Sequence, residues 1–161
     1  EYKSGEQTVG KDDSSIPVSE QSFYGRGVIQ PTLWESIPDQ VHMLLRSTEG
    51  MISRSDSKDG GDTWTEAYAT ELPNNNSGID MIRSKDGKLF LVYNPIGVNW
   101  GDRTPISLVV SKDDGKTWEK IRDLSTGEGE FAYPAIIQDE DFLYITYTYK
   151  RKNIAFWKIR K

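Results

Sequence analysis

The sequence contains no cysteine and only one histidine, His42. Without cysteine there is no disulfide framework, no thiolate nucleophile and no thiolate metal site, and one histidine is too few for a histidine-rich zinc site. We therefore expect no metal ion and no cofactor. The lack of cysteine leaves the redox compartment of the protein open.

Long apolar runs and an excess of basic residues are also missing. The apolar runs are only a few residues long, far below the roughly 20 that cross a bilayer, so the sequence predicts no membrane span. Lys and Arg number 20 against 25 Asp and Glu, which gives a net charge of -5, and the longest basic run covers residues 150–152. A nucleic-acid partner is not expected, because its backbone requires a basic surface.

Bulky aromatic side chains are plentiful in this polar chain. The 161 residues include 5 Trp, 8 Tyr and 5 Phe, although the mean hydropathy is -0.65. Such a chain has the side chains needed for a core, and its length fits a single domain.

An internal repeat gives the strongest signal. Residues 57–64 (SKDGGDTW) return as residues 111–118 (SKDDGKTW), with six identities in eight positions. The aspartate of each copy can accept hydrogen bonds from the turn backbone, the glycine permits positive φ, and the tryptophan is expected to be buried. We interpret both copies as structural turns, whose shared residues are Ser57, Asp59, Gly61, Trp64, Ser111, Asp113, Gly115 and Trp118.

Strand-length segments separated by turn residues surround these octapeptides. The predicted strands cover residues 28–36, 40–48, 51–57 and 63–70, then 78–84, 88–94, 105–111 and 117–123, and finally 131–138, 142–149 and 153–159. Four short antiparallel strands repeated about every 50 residues are typical of β-propeller blades. The sequence thus predicts an all-β fold with three blades at 27–161, the third lacking a fourth strand, after a leader or outer strand at 1–26.

Three further segments carry a family resemblance: Gln30-Pro31, residues 73–78 (PNNNSG) and residues 130–134 (EFAYP). Together with the octapeptides, they resemble the sialidase (neuraminidase) superfamily, in which the octapeptides are called Asp-boxes or BNR repeats. The resemblance covers about residues 26–161. It implies half of a six-bladed sialidase-like β-propeller and a secreted or periplasmic location.

Arginines and one tyrosine are the candidate site residues. Arg46 is expected to close the second strand of its blade, and Arg103 and Arg151 to precede the third strands of theirs. Three guanidinium groups that converge there would bind a carboxylated sugar. The alternative is three surface arginines in ordinary salt bridges. The resemblance implies Tyr133 as a nucleophile with Glu130 as its base; the alternative is a tyrosine packed at a blade edge.

Other polar and aromatic residues have two interpretations each. Asn74, Asn75, Asn76 and Asp80 are either ligands of sugar hydroxyl groups or turn formers. His42 is either the base of a lyase or, more in keeping with its mid-strand position, a hydrogen-bonded interior residue. Trp34 and Trp100 are sugar-stacking platforms or packing between blades.

The resemblance implies an exo-α-sialidase, a retaining glycoside hydrolase acting on acidic glycans. The alternatives are a non-catalytic glycan-binding module and a polysaccharide lyase acting on uronates. The Phe-Arg-Ile-Pro motif that opens many sialidases is absent, so the matched motifs give no counterpart to one substrate arginine and to the early aspartate that serves as general acid. Because three blades cannot close a propeller, we expect either a homodimer that completes a six-bladed ring or the remainder of a longer chain.

Overall fold

The computed structural model describes residues 27–161, which form three antiparallel sheets, here called blades 1 to 3. The strands are β1 (Val28–Glu35), β2 (Val41–Ser47), β3 (Met51–Ser57) and β4 (Tyr68–Pro73) in blade 1; β5 (Asp80–Arg83), β6 (Leu89–Tyr93), β7 (Ile106–Ser111) and β8 (Glu119–Ser125) in blade 2; and β9 (Phe131–Gln138), β10 (Phe142–Tyr149) and β11 (Asn153–Arg160) in blade 3. The predicted leader or outer strand at 1–26 lies outside the described residues.

The predicted all-β architecture is confirmed. Each strand pairs with its neighbour in sequence, and β11 stands at the edge of a three-stranded blade 3. One strand differs: β4 begins at Tyr68 and not at residue 63. Before it, the Thr65 amide donates to the Asp56 carbonyl of β3 at 2.9 Å, and side chains make further bonds. Ser55 Oγ donates to the Thr65 carbonyl at 2.8 Å, and Thr65 Oγ1 accepts from the Asp56 amide at 3.0 Å. In the range 27–161, no helix has the length and apolar character to cross a membrane.

Both octapeptides form the same turn between the third and fourth strands of a blade. Asp59 accepts hydrogen bonds from Ser57 Oγ at 2.7 Å, from the Thr63 amide at 2.9 Å and from Thr63 Oγ1 at 2.5 Å. Asp113 accepts the corresponding bonds from Ser111 and Thr117 at 2.8, 2.8 and 2.5 Å. The structural interpretation of these two aspartates agrees with their contacts.

The core lies between the blades, where apolar sheet faces stack. One cluster joins blades 1 and 2 and includes Trp34, Leu44, Ile52, Met81 and Leu91. A second cluster joins blades 2 and 3 and includes Val92, Leu108, Phe131, Ile145 and Tyr147. Every residue of β6 and β7 is buried, because blade 2 is covered on both faces. The continuous apolar sequence of β6 follows from that position.

The octapeptide tryptophans are less buried than the sequence predicts. Trp64 and Trp118 are both half-buried, so the expectation of two buried indoles is wrong. Trp118 packs against the cluster that joins blades 1 and 2. Trp64 lies at the same place in blade 1, where its indole donates to the Gly61 carbonyl of its own turn at 2.9 Å. The two indoles therefore differ in how much of the core they support.

We predict that Trp118→Ala destabilises the protein more than Trp64→Ala. Full burial of an aromatic ring is worth about 3–5 kcal/mol on truncation, and half-burial reduces this to about 2–3 kcal/mol for Trp118 and about 1–2 kcal/mol for Trp64. Urea unfolding of the two variants measures the difference. Equal losses would show that the cluster between blades 1 and 2 does not depend on Trp118.

A second prediction concerns the stability of the protein at low pH. Hydrogen bonds from Thr63 lower the pKa of Asp59 to about 2 from 3.8, and hydrogen bonds from Thr117 do the same for the pKa of Asp113. Since the folded pKa lies below the unfolded one, the contribution to stability is complete above about pH 4 and is lost as the pH falls towards about 2. Chemical denaturation between these pH values should show this loss.

The matched control is the double variant Asp59→Asn, Asp113→Asn. It should have a shallower dependence of unfolding free energy on pH in the same window, because two of the titrating carboxyl groups are gone. Some slope should remain, since hydrogen bonds from Lys88 and Ser84 also lower the pKa of Asp86 to about 2. An unchanged slope in the double variant would contradict the prediction.

Candidate functional site

The innermost strands of the three blades lie side by side, with β5 between β1 and β9. Gln30 and Tyr133 stand at corresponding positions of β1 and β9, each followed by proline, and both have positive φ, 54° and 56°. Gly78 just precedes β5 at the same level, where an added Cβ would lie 3.4 Å from both Gln30 Oε1 and Tyr133 Cδ1. Side chains at this level of the inner strands therefore meet.

Asp80 joins the three inner strands through one carboxylate. Its Oδ1 accepts from Thr32 Oγ1 of β1 at 3.3 Å and from the amide of Met81 at 2.9 Å. Its Oδ2 accepts from the amide of Ile136 in β9 at 2.9 Å. The structure thus shows Asp80 in contact with all three blades; its predicted role as a sugar ligand stays untested.

The three predicted arginines surround Tyr133. Arg46 is the last residue but one of β2, Arg103 lies between β6 and β7, and Arg151 lies in the turn between β10 and β11, as the strand count predicts. The guanidinium carbon of Arg103 is 5.2 Å from the centre of the Tyr133 ring. A hydrogen bond from Arg103 lowers the pKa of Tyr133, and the charges of all three arginines act in the same direction.

Two of these arginines have unused hydrogen-bond donors. Arg46 donates to Gln30 Oε1 at 3.1 Å, but its Nε is buried without an acceptor, as is Nη1 of Arg103, among residues 27–161. Burial lowers the pKa of Arg46, and the positive charge of Arg103 adds to this effect. An anion placed between the two side chains would supply the missing acceptors, and its negative charge would offset the repulsion between the two guanidinium groups.

Glu130 binds Arg151 and, within residues 27–161, forms no hydrogen bond with Tyr133. Its carboxylate accepts from Nε and Nη2 of Arg151, the latter at 3.2 Å. The side chain of Glu130 is 41% exposed and that of Arg151 is 72% exposed, so the pair is open to solvent. The structure brings Glu130 to the site through Arg151; its predicted role as base stays a prediction.

The asparagine run supports the loop that carries Arg103. Asn74, Asn75 and Asn76 are all buried. The side-chain amide of Asn75 donates to the Gly101 carbonyl at 3.0 Å and to the Asp102 carbonyl at 2.7 Å. Side-chain oxygens of Asn75 and Asn76 are buried with no hydrogen-bond donor in the described part of the chain. Their burial favours the structural interpretation, while binding of sugar hydroxyl groups stays a prediction.

His42 is a hydrogen-bonded interior residue, which confirms the preferred interpretation. It is 7% exposed; Nδ1 lies 2.5 Å from Asp56 Oδ1 and Nε2 lies 2.8 Å from Ser36 Oγ. Arg54 also binds Asp56, at 2.8 Å, which neutralises the carboxylate. His42 and Arg46 stand four residues apart in β2, about 13 Å at strand spacing, so His42 as a lyase base at the arginine site is wrong.

Trp34 packs between blades and is not a sugar-stacking platform. It is 4% exposed, stacks on the His42 ring with centroids 4.8 Å apart, and donates its indole N–H to Asp114 at 2.8 Å. Trp100, by contrast, is 74% exposed. The stacking interpretation therefore survives for only one of the two tryptophans.

Sequence reasoning missed two residues that build this site. Gln30 orients Arg46, and the repeated pairs Gln30-Pro31 and Tyr133-Pro134 are the signal that relates it to Tyr133. Asn94 is fully buried, and its amide joins the Pro105 carbonyl, at 2.7 Å, to that of Phe131, at 3.0 Å. No pattern in the sequence distinguishes this asparagine from those in turns.

These blades define the class of the protein: it has the fold of sialidase-type β-propellers. The chain belongs to the BNR repeat-like domain family, whose sequence model matches residues 8–145. This agrees with the resemblance drawn from the Asp-boxes. No curated protein matches the chain significantly.

Solved structures with the same fold share little sequence with the chain. A mutant of the NanB sialidase from Streptococcus pneumoniae superposes with a TM-score of 0.61 at 15% identity, covering 73% of this chain and 20% of that one. A protein of unknown function from Dyadobacter fermentans gives 0.65 at 20%, covering 83% and 36%. A mutant α-L-arabinofuranosidase from Fusarium graminearum gives 0.57 at 21%, covering 74% and 40%. The chain thus spans well under half of each of these structures.

The geometry around Tyr133 generates a prediction about its titration. Arg103→Gln should raise the pKa of Tyr133 towards 10.0, because the hydrogen bond from Arg103 is the largest cause of its lowering. The ultraviolet titration of each protein is measured with and without a further Tyr133→Phe substitution, and the difference between the two curves is the titration of this phenol. The control is Arg122→Gln in β8, whose guanidinium carbon lies 5.8 Å from the centre of the Trp157 ring. A Tyr133 titration that is the same in the wild type, Arg103→Gln and Arg122→Gln would contradict the geometry.

Proposed function

We propose that the chain forms the acidic-sugar site of a sialidase-like, carbohydrate-active protein, a retaining exo-α-sialidase or part of one. The observation that carries the proposal is the set of three arginines around Tyr133, with buried donors on Arg46 and Arg103 that lack acceptors. A planar carboxylate matches guanidinium donors in pairs. The activity of the whole protein is a proposal, because the chain spans only part of the structures that it resembles.

The charges of the site favour a carboxylated sugar over a neutral one. Arg103 and Arg46 are close enough for the charge of one to lower the pKa of the other. Two neighbouring positive charges repel, and a bound anion removes that repulsion. The carboxylate of Glu130 already neutralises Arg151, whereas Arg46 and Arg103 each have a buried donor that lacks an acceptor within residues 27–161.

In the hydrolase mechanism, Tyr133 Oη attacks the anomeric carbon as the bond to the leaving-group oxygen breaks. A phenol with a lowered pKa is a better nucleophile at neutral pH, and it is less strongly repelled by the sugar carboxylate than a carboxylate nucleophile would be. Glu130 receives the phenol proton, for which its bond to Arg151 must rearrange. The leaving-group oxygen takes a proton from an acid that the matched motifs do not include.

A non-catalytic glycan-binding module is the second candidate. The pairing of Glu130 with Arg151 favours it, since in this arrangement the carboxylate is held by a guanidinium group and not by the phenol. The same arginines then bind the sugar, and Tyr133 supplies a polar contact. The lyase alternative has lost His42 and depends on Tyr133 alone as the base.

Two variants separate binding from chemistry. Arg103→Gln should weaken binding of N-acetylneuraminic acid by about 10- to 100-fold, the effect of losing a hydrogen bond to a charged group. Tyr133→Phe should keep the affinity but lose turnover of a fluorogenic sialoside. Calorimetry and fluorescence measure the two quantities, and Arg122→Gln is the control that should change neither.

Each other result has a definite meaning. Wild-type affinity in Arg103→Gln would contradict the carboxylate site. Binding by the wild type without turnover would contradict a chain that is active by itself, and would fit both the binding module and one part of a longer enzyme. Absorbance at about 230 nm from uronate substrates would identify the lyase, because elimination creates a conjugated product.

A further inference from the structure

Two of the inner strands carry an extra residue at the level of the arginine site. The pairing of β1 with β2 shifts between Ile29 and Pro31, which leaves Gln30 as the extra residue. The pairing of β9 with β10 shifts in the same way, because Tyr133 and Pro134 together face a single residue. Such bulges re-aim a side chain and are common beside active sites. Gln30 is therefore turned out of its ladder by the same kind of bulge as the tyrosine.

The backbone is strained at both of these residues. The φ angle is 54° at Gln30 and 56° at Tyr133, in a region that residues other than glycine rarely adopt. Burial does not hold either side chain in place, since Gln30 is exposed and Tyr133 is 51% exposed. The direction in which Gln30 points therefore has a cause other than packing.

The carboxamide of Gln30 has its oxygen in use and its nitrogen free. The oxygen, Oε1, accepts from Nη1 of Arg46 at 3.1 Å. A guanidinium group can only donate hydrogen bonds, so the oxygen must face it and the nitrogen must point away. Among residues 27–161, this nitrogen has no acceptor. Gln30 thus orients Arg46 and presents two N–H donors of its own to the site.

Arg46 keeps its full positive charge because its partner is neutral. Blade 3 shows the contrast, since there the carboxylate of Glu130 accepts from Arg151 and neutralises it. A carboxylate in place of the Gln30 carboxamide would neutralise Arg46 in the same way and would repel an anionic ligand. A glutamine orients the guanidinium group and leaves its charge for the ligand.

Gly78 provides open space between the two bulges. A Cβ on Gly78 would lie 3.4 Å from both Gln30 Oε1 and Tyr133 Cδ1, which is an ordinary contact distance, and the φ of Gly78 lies outside the left-handed region. Neither packing nor backbone conformation therefore requires a glycine. Gln30 carries Arg46 on one side, and Arg103 lies over the Tyr133 ring on the other. An anion between the two arginines would lie above Gly78.

From these observations we propose that Gln30 and Gly78 determine the specificity of the arginine site for a carboxylate. Gln30 donates an N–H group to the carboxylate and orients Arg46 without neutralising it. Gly78 leaves open the space in which the carboxylate lies. This inference rests on the proposed acidic-sugar site, to which it adds one residue of blade 1 and one of blade 2.

Calorimetry with N-acetylneuraminic acid and with its methyl ester tests the role of Gln30. The ester has the same ring without the negative charge, so the ratio of the two affinities measures the preference for a carboxylate. The wild type should prefer the acid by at least about tenfold. Gln30→Glu should bind the acid at least about 100-fold more weakly and lose this preference, because the new carboxylate pairs with Arg46 and repels that of the ligand.

Two further variants of glutamines sharpen the comparison. Gln40→Glu is the matched control, because it adds the same charge to blade 1 in the turn between β1 and β2, about 20 Å from Gln30 at strand spacing. It should leave both affinities unchanged. Gln30→Met keeps the length of the side chain but has no N–H donor and no charge. It should weaken binding of the acid about tenfold, the scale of one hydrogen bond to a charged group.

Gly78→Ala tests the open space. Its methyl group makes only ordinary contacts with the protein, so urea unfolding should be unchanged, while the acid should bind about tenfold more weakly or worse because its place is filled. Gly97→Ala is the control. Gly97 also has a φ outside the left-handed region, and its added Cβ would lie 3.5 Å from the Gly50 carbonyl and from Pro73. This variant should bind the acid as the wild type does.

Three results would overturn the inference: a wild-type preference for the acid in Gln30→Glu, or wild-type affinity for the acid in Gln30→Met or in Gly78→Ala. In each case the wild type still binds the acid, and the acidic-sugar site stands. If the wild type binds neither probe, or binds both equally, the acidic-sugar site itself fails for this sugar and the inference fails with it. The wild type thus distinguishes the two failures.

Discussion

The carboxylate of Asp80 is the contact on which the arrangement of the site depends. It binds a side chain of β1, a backbone amide of β5 and a backbone amide of β9, so one residue sets the positions of three inner strands. Gln30 and Tyr133 lie on two of those strands, two residues before Thr32 and three residues before Ile136, which Asp80 contacts. A buried or half-buried carboxylate with only part of these donors would be costly, so the three strands are held in one register.

A second connection holds the blades at the other end of their strands. Trp34 of blade 1 donates to Asp114 in the turn of blade 2, and Arg54 donates to the carbonyl of that same residue at 3.1 Å. His42 fills the space beside them by stacking on Trp34. Blades 1 and 2 are therefore joined by polar contacts at both ends and by an apolar cluster between. This explains why a histidine in mid-strand serves packing and not catalysis.

The sequence predicted the parts of this structure that local patterns determine. The Asp-boxes predicted the turns. Strand counting from them placed Arg46 near the end of β2, and Arg103 and Arg151 before the third strands of their blades, where the structure has them. It could not predict that Trp34 is buried while Trp100 is exposed, because both depend on contacts made by residues far away in the chain. Likewise, the sequence could not predict that Glu130 pairs with Arg151 and not with Tyr133, because this depends on how the side chains of two distant residues are oriented.

Three blades already bring the arginines together, so what lies beside them decides the chemistry. Ile137, Ile154 and Phe156 are exposed on blade 3, whose edge strand β11 has no further partner in the described structure. Both proposed assemblies would cover these residues. A second copy of the chain would place another arginine cluster on the same channel and add positive charge, which repels the first cluster. Blades of different sequence would instead be free to supply the acid that the leaving group needs, so the hydrolase proposal is more compatible with a longer chain than with a homodimer.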